Sequence, residues 1–214
     1  YSDMAAGLAR CFGIRLPLNF DSPLKARNII DFWSRWHVTL TRFLTAYVFN
    51  PIVLARTRRR VSRGLSIMGS RPSVGAFLAL LALPTMFTMF VSGLWHGAGY
   101  LFVLWGLLHG GYLVVNHAWR NWRPGPAGGE SESWFWRQAS FVLTFVAVTF
   151  AMVVFRGPTP SATLSVVEGM IGLGGITLPP SVLALVPAAL ADWIGPDTRS
   201  VAEFVTAGSW VLAL

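Results

Sequence analysis

The chain has 214 residues, of which 54% are hydrophobic and 12% charged, with a formal net charge of +8 and one cysteine. Soluble domains carry about 25% charged residues, and a lone Cys11 has no internal partner, so a soluble globular domain, a disordered chain and a disulfide scaffold are all excluded. The composition reads as an all-α, polytopic membrane protein surrounded by lipid, with residues 1–214 as a single membrane domain.

Charge is unevenly spread. Residues 1–71 hold 12 of the 17 basic residues and three acids, whereas residues 72–214 hold five basic and six acidic ones. Loops rich in Lys and Arg stay on the cytoplasmic side. The excess therefore reports orientation, and no nucleic-acid partner is expected.

In chain order, Ser22-Pro23 offers an N-cap serine and a first-turn proline. Asn28 to Phe49 follows with helical periodicity: Trp33, Trp36, His37, Leu40, Leu44 and Tyr47 share one face, with Asp31, Arg35 and Arg42 on the other. Residues 22–49 are thus read as amphipathic or re-entrant helices at the membrane interface. Arg56 to Arg63 (RTRRRVSR) is predicted as a basic loop, and its charge could also hold the phosphates of a nucleotide-containing donor.

From Pro72 to Trp119 there are 48 residues without Asp, Glu, Lys or Arg, more than one crossing requires. Val74–Leu94 is predicted as one span with a kink at Pro84. Gly93, Gly97 and Gly99 bracket a break around His96, and Tyr100–Val115 forms the next span. Residues 124–133 (PGPAGGESES) form a polar loop, and Ala139–Phe155 (139–155) a further span. Ser161–Gly172 is a short amphipathic helix. Apolar stretches at Pro179–Trp193 and Val201–Leu214 carry no chemical signal.

The candidate chemistry is imidazole chemistry. HExxH and paired cysteines are missing, so no metal site is expected, and the sequence has neither a GxSxG elbow nor a GxxxxGK[ST] loop. His96, among small residues in the uncharged 74–119 region, could be a general base for a hydroxyl nucleophile. It could equally be a core histidine bonded to a neighbouring helix. His37 lies among tryptophans as a second candidate or a packing residue. His109 reads as structural, His117 as interfacial, and Cys11 as a small apolar residue or an acyl acceptor.

Several spaced segments carry a resemblance. Tyr1-Ser2-Asp3-Met4-Ala5-Ala6-Gly7-Leu8-Ala9, Asn19-Phe20-Asp21-Ser22-Pro23 and Asp31-Phe32-Trp33-Ser34-Arg35-Trp36-His37-Val38-Thr39-Leu40 resemble successive motifs of the membrane-bound O-acyltransferase (MBOAT) family. So do Ser92-Gly93-Leu94-Trp95-His96-Gly97-Ala98-Gly99, Leu104-Trp105-Gly106-Leu107-Leu108-His109-Gly110 and Val154-Phe155-Arg156. The nearest branch is that of bacterial alginate O-acetylases and D-alanyl transfer proteins. Residues 50–69 lack the Gly-Gly-Asn element of the alginate enzymes, which argues against alginate itself.

The resemblance implies a multi-pass protein of the bacterial inner membrane, with His96 as the catalytic histidine and His37 as the second histidine of the site. It implies transfer of an acyl group, acetyl from acetyl-CoA being favoured, to hydroxyls of a cell-envelope or exopolysaccharide, with no bound cofactor. A periplasmic acetyltransferase partner often completes delivery. Members are about twice as long, so the chain is expected to be the C-terminal half of one, a fragment beginning at Tyr1 without an initiator methionine. The competing readings are a carrier-protein-dependent D-alanyl transferase, and a transporter or channel subunit without chemistry.

Overall fold

The computed structural model describes residues 2–69, 72–123 and 133–171, together with residues 176–178 and 194–196. Its helices are α1 (Ser2–Cys11), α2 (Ile29–Arg35), α3 (Val38–Val61), α4 (Val74–Trp95), α5 (Tyr100–Trp122), α6 (Trp134–Arg156) and α7 (Pro160–Met170). The α3, α4, α5 and α6 helices, 22 to 24 residues long, are each long and apolar enough to cross a membrane. This is a multi-pass, all-helical membrane architecture.

The α3 span corrects the reading of residues 56–63. Residues 38–49 lie in the first half of a helix long and apolar enough to cross a membrane. The basic loop expected at 56–63 is instead helical as far as Val61, and only its end is a turn. The 13 residues between Arg42 and Arg56 are uncharged and supply the apolar middle of α3. Arginine is itself a good helix former, so the cluster continues the helix. The cluster ends at Gly64, whose φ of 65° suits a left-handed cap. Leu65 N–H donates to the Arg60 carbonyl at 2.9 Å, and Gly64 N–H to the Val61 carbonyl at 3.0 Å.

The predicted helix start at Ser22 is also displaced. Ser22 takes φ 46°, outside the extended geometry an N-cap needs, and opens only a single turn at Pro23–Lys25. Asn28, extended at φ −158°, caps α2 by accepting from the backbone N–H groups of Ile30 and Asp31. Further on, α5 runs seven residues past Val115, and α6 begins five residues before Ala139. The added turns hold the Trp, Arg, Asn and His residues that suit a membrane–water interface. The predicted 124–133 loop lies outside the described residues except for Ser133, which precedes α6.

Both α3 and α4 contain a π turn just before a proline. In α3 it covers Thr45–Phe49 and Asn50 N–H reaches the Thr45 carbonyl; in α4 it covers Leu78–Ala82 and Leu83 N–H reaches the Leu78 carbonyl. Pro51 and Pro84 follow by one residue. A proline ring collides with the carbonyl four residues earlier and offers it no donor, and the wider π turn relieves that conflict. The irregularity expected at Pro84 is therefore present one turn earlier than the proline itself.

The α4 and α5 helices pack antiparallel at backbone contact. A methyl group on Gly106 would run into the Met89 carbonyl oxygen, and one on Gly93 into the Phe102 carbonyl oxygen. Small residues of this kind let membrane helices approach closely. Gly93, read from sequence as part of a break, thus serves the helix contact. Around this pair, α2 and α6 close a core of Ile29, Phe32, Trp33, Met89, Trp105 and Ala151.

By contacts the chain separates into two units: Ser2 with residues 6–157 in one, and residues 3–5 with those from Pro158 onward in the other. Pro158 and Pro160, lacking N–H donors, interrupt the helical path after Arg156. In the second unit the Thr159 hydroxyl caps α7 by accepting from Ala162 N–H at 3.2 Å. Residues Ile176–Leu178 and Ile194–Pro196 form a short parallel pair, the only departure from helix among the described elements. The apolar stretches 179–193 and 201–214 fall outside the described residues.

Candidate active site

His96 occupies the turn that joins α4 to α5. Its backbone N–H still donates to the Gly93 carbonyl, and the next residue, Gly97, adopts φ 151°, which L side chains rarely adopt. The chain can therefore reverse within four residues. The imidazole meets rings on three sides: Trp95 at 4.8 Å, Phe155 at 4.9 Å and Trp105 at 5.2 Å between centroids. Burial, and secondly the nearby charge of His37, hold its pKa below the ordinary value of 6.5. The neutral form, which can accept a proton, is thereby favoured at neutral pH.

His37 is positioned quite differently. The helical periodicity read over Asn28 to Phe49 is interrupted: α2 stops at Arg35 and the helix restarts at Val38, with His37 left-handed at φ 44°. This conformation costs an L residue about 1–2 kcal/mol, so the surroundings must impose it. The segment Asn19–Asp21 does so. Val38 N–H donates to the Asn19 carbonyl at 2.9 Å, and Asp21 N–H to the Arg35 carbonyl at 3.0 Å. The Asn19 Oδ1 atom accepts from both Thr39 N–H and the Thr39 hydroxyl, at 3.1 and 2.9 Å. Arg35 is tied down in turn by Asp31 at 2.7 Å. Asp31 itself is half-buried, which raises its carboxyl pKa, but the bonds from Arg35 and from the Arg27 backbone outweigh this and leave it lowered.

The break disperses the helical face proposed for residues 33–47. Trp33 is buried in the core whereas Tyr47 is 71% exposed. What His37 gains is a place opposite Trp95, at 6.3 Å edge to face, with Phe20 at 5.7 Å on its other side. Its Nδ1 is buried without a hydrogen-bond partner among the described residues.

The two histidines belong to a closed circuit of eight rings. It passes from His37 to Trp95, His96, Trp105, His109, Phe32, Trp36 and Phe20, and back to His37, with successive centroids 4.8 to 6.3 Å apart. His109, read from sequence as structural, is fully buried in this circuit, and neither ring nitrogen has a partner among the described residues. Periodicity gives no sign of it, because the circuit joins α2, α4 and α5 with the segment before α2 and the break that holds Trp36 and His37. His117 lines a cavity of about 310 Å³ with Trp33, Thr41, Thr45, Thr85 and Thr88, away from the two histidines. Cys11 lies exposed on α1.

Fold and site together define a multi-pass helical membrane protein whose candidate reacting groups are imidazoles walled by aromatic rings. No protein-family model matches the chain. Among curated proteins it is 37% identical to a peptidoglycan O-acetyltransferase of Helicobacter pylori over 178 residues, 83% of this chain and 29% of that protein. It is 30% identical over 174 residues to a protein of Pseudomonas aeruginosa named as a probable alginate O-acetylase, covering 81% of this chain and 28% of the relative. A teichoic acid D-alanyltransferase of Streptococcus thermophilus is 30% identical over 119 residues, 56% of this chain and 26% of that protein. The chain thus spans less than a third of the length of each of these relatives. The matches support its membership of the membrane-bound O-acyltransferase family, with no preference for the alginate branch.

Proposed function

We propose that this chain carries the reacting histidines of a membrane-bound O-acyltransferase that acylates hydroxyls of a cell-envelope polysaccharide. The observation that carries the reading is the placement of His96 and His37 on either side of Trp95, one in a glycine-bounded helix turn and the other in an imposed left-handed conformation.

In the step we propose, a ring nitrogen of His96 takes the proton of the acceptor hydroxyl as its oxygen attacks the thioester carbonyl. The carbon–sulfur bond then breaks, the acyl group stays on the acceptor oxygen, and the imidazolium returns its proton to the departing thiolate. General-base assistance of this kind contributes about 10²–10⁴-fold. His37, through its unpartnered Nδ1, orients or polarises one reactant. The aromatic walls limit water, which would otherwise hydrolyse the thioester.

Acetyl is the favoured group and acetyl-CoA the favoured donor, with the protein in the bacterial inner membrane and a periplasmic acetyltransferase completing delivery. The similarity to the peptidoglycan O-acetyltransferase supports a wall glycan as acceptor. The similarity to a D-alanyltransferase supports a second reading, in which a carrier-protein thioester replaces acetyl-CoA and the same histidines act.

The test is the O-acetyl ester content of envelope polysaccharide in cells carrying the intact gene or its His96→Ala version at matched membrane levels. The expected result is loss of at least about 100-fold in ester formation. Unchanged ester and D-alanyl content, with an altered solute flux, would replace the reading by transport.

A further inference from the structure

The arginine cluster of α3 has a shape that orientation in the membrane does not require. Arg56, Arg59 and Arg60 recur at the three- and four-residue spacing that puts side chains on one helical face, and Arg63 follows in the turn after Val61. They line a cavity of about 380 Å³, completed by Ala55, Leu65 and Ala79. That volume is many times a water's share of the liquid, roughly 30 Å³. Ala79 comes from the π turn of α4, so two spans form the walls, and the small side chains at 55 and 79 leave the space open.

One of these guanidinium groups is also held in place. Arg60 is half-buried, and its Nε donates to the Ser66 carbonyl at 2.8 Å, which fixes the plane of the fork and leaves the terminal nitrogens free to donate elsewhere. The Gly64 cap brings Ser66 back to that point. Among the described residues, the ion pairs found are those of Arg35 with Asp21 and Asp31, so no carboxylate neutralises the cluster. A solvated stripe needs neither a concave wall nor a pre-set fork. Four unneutralised arginines lining one cavity, Arg60 half-buried and the other three exposed, suit a phosphoryl group, which Arg binds through paired hydrogen bonds.

The structure assigns Arg56, Arg59, Arg60 and Arg63 to a phosphate-binding site at the arginine-rich end of α3. None of these residues belongs to the ring circuit, so the site does not depend on the acyl-transfer reading. A phosphoryl group could reach it on an anionic lipid headgroup or on a soluble nucleotide-containing thiol; the second source rests on the proposed donor chemistry.

The test uses the protein purified into phosphatidylcholine nanodiscs. Coenzyme A binding is measured by calorimetry, and retention of phosphatidylglycerol, added to the discs, by native mass spectrometry. The expected result is that at least one probe binds, that Arg60→Gln weakens it about tenfold, and that the combined Arg56→Gln, Arg59→Gln, Arg60→Gln and Arg63→Gln change weakens it about 100-fold. Arg58→Gln, in the same charge run but outside the cavity, should change binding less than about twofold. Response of the lipid alone identifies a headgroup site, and response of coenzyme A identifies a donor site; each supports the assignment. Equal losses for Arg58→Gln and Arg60→Gln would reduce the cluster to undirected charge and overturn it. So would binding of neither probe. The single-variant comparison decides the matter even where the combined variant fails to insert. Loss of phosphate binding with ester formation intact, or the reverse, separates failure of this site from failure of the histidine reading.

Discussion

The two histidines reach Trp95 by opposite routes. His96 is placed by its immediate neighbours: a helix end, a four-residue turn and glycines that permit both the reversal and the helix contact beside it. His37 is placed by a segment some eighteen residues away, which pairs with the backbone on both sides of the break and forces an unfavourable conformation. A local device tolerates change in the rest of the fold but not in its own glycines. A tertiary device depends on atoms remote in sequence from the residue it places.

The comparison can be broken most severely at the helix contact under His96. Gly106→Val would drive a side chain into the Met89 carbonyl and separate α4 from α5, at a cost of about 3 kcal/mol. The expected outcome is a lower melting temperature in detergent, with the amides of the 96–99 turn losing protection from hydrogen exchange. A melting temperature unchanged from wild type would contradict the backbone-contact packing.

Next in size is Asn19→Ala. It leaves Thr39 N–H and its hydroxyl without their acceptor, costing about 1–3 kcal/mol. Because small misplacements of reacting groups are costly, ester formation per inserted protein should fall about 100-fold. Exchange protection in the 96–99 turn should stay at the wild-type level, which separates the two devices. Equal disturbance of both would show that they are one structure.

The smallest effect is a pH shift. His96 is held below 6.5 first by burial and then by the charge of His37. Replacing His37 by Gln removes the second cause and makes protonation of His96 easier. The acid limb of the residual rate should therefore move to higher pH, while remaining below the ordinary histidine value because burial persists. A shift to lower pH, or none, in the rate profile would remove His37 from the electrostatics of His96.

Much of this fold is legible in the sequence for simple physical reasons. An uncharged run of 48 residues can hardly be anything but membrane helix, and His96 stands out in it as an ionisable residue bounded by glycine. Other features follow from forces that periodicity does not record. Residues 28–49 keep a helical pattern straight through the break, because Asn19 and Asp21 override it from a distance. The α3 span is hidden by the arginines at its end, which read as a loop when charge is weighed above helix propensity. The Asn19-Phe20-Asp21 motif is visible as a resemblance, yet its task of clamping His37 emerges only when the two segments are seen side by side.

The ring circuit has an optical consequence. Trp95 and Trp105 each lie against His96, within about one ring's width, and a protonated imidazole quenches indole emission far more strongly than a neutral one. These are two of the chain's ten tryptophans, and Trp95 also faces His37, so the part of a pH-dependent emission change that His96→Gln abolishes would report the charge on the candidate base without any added label.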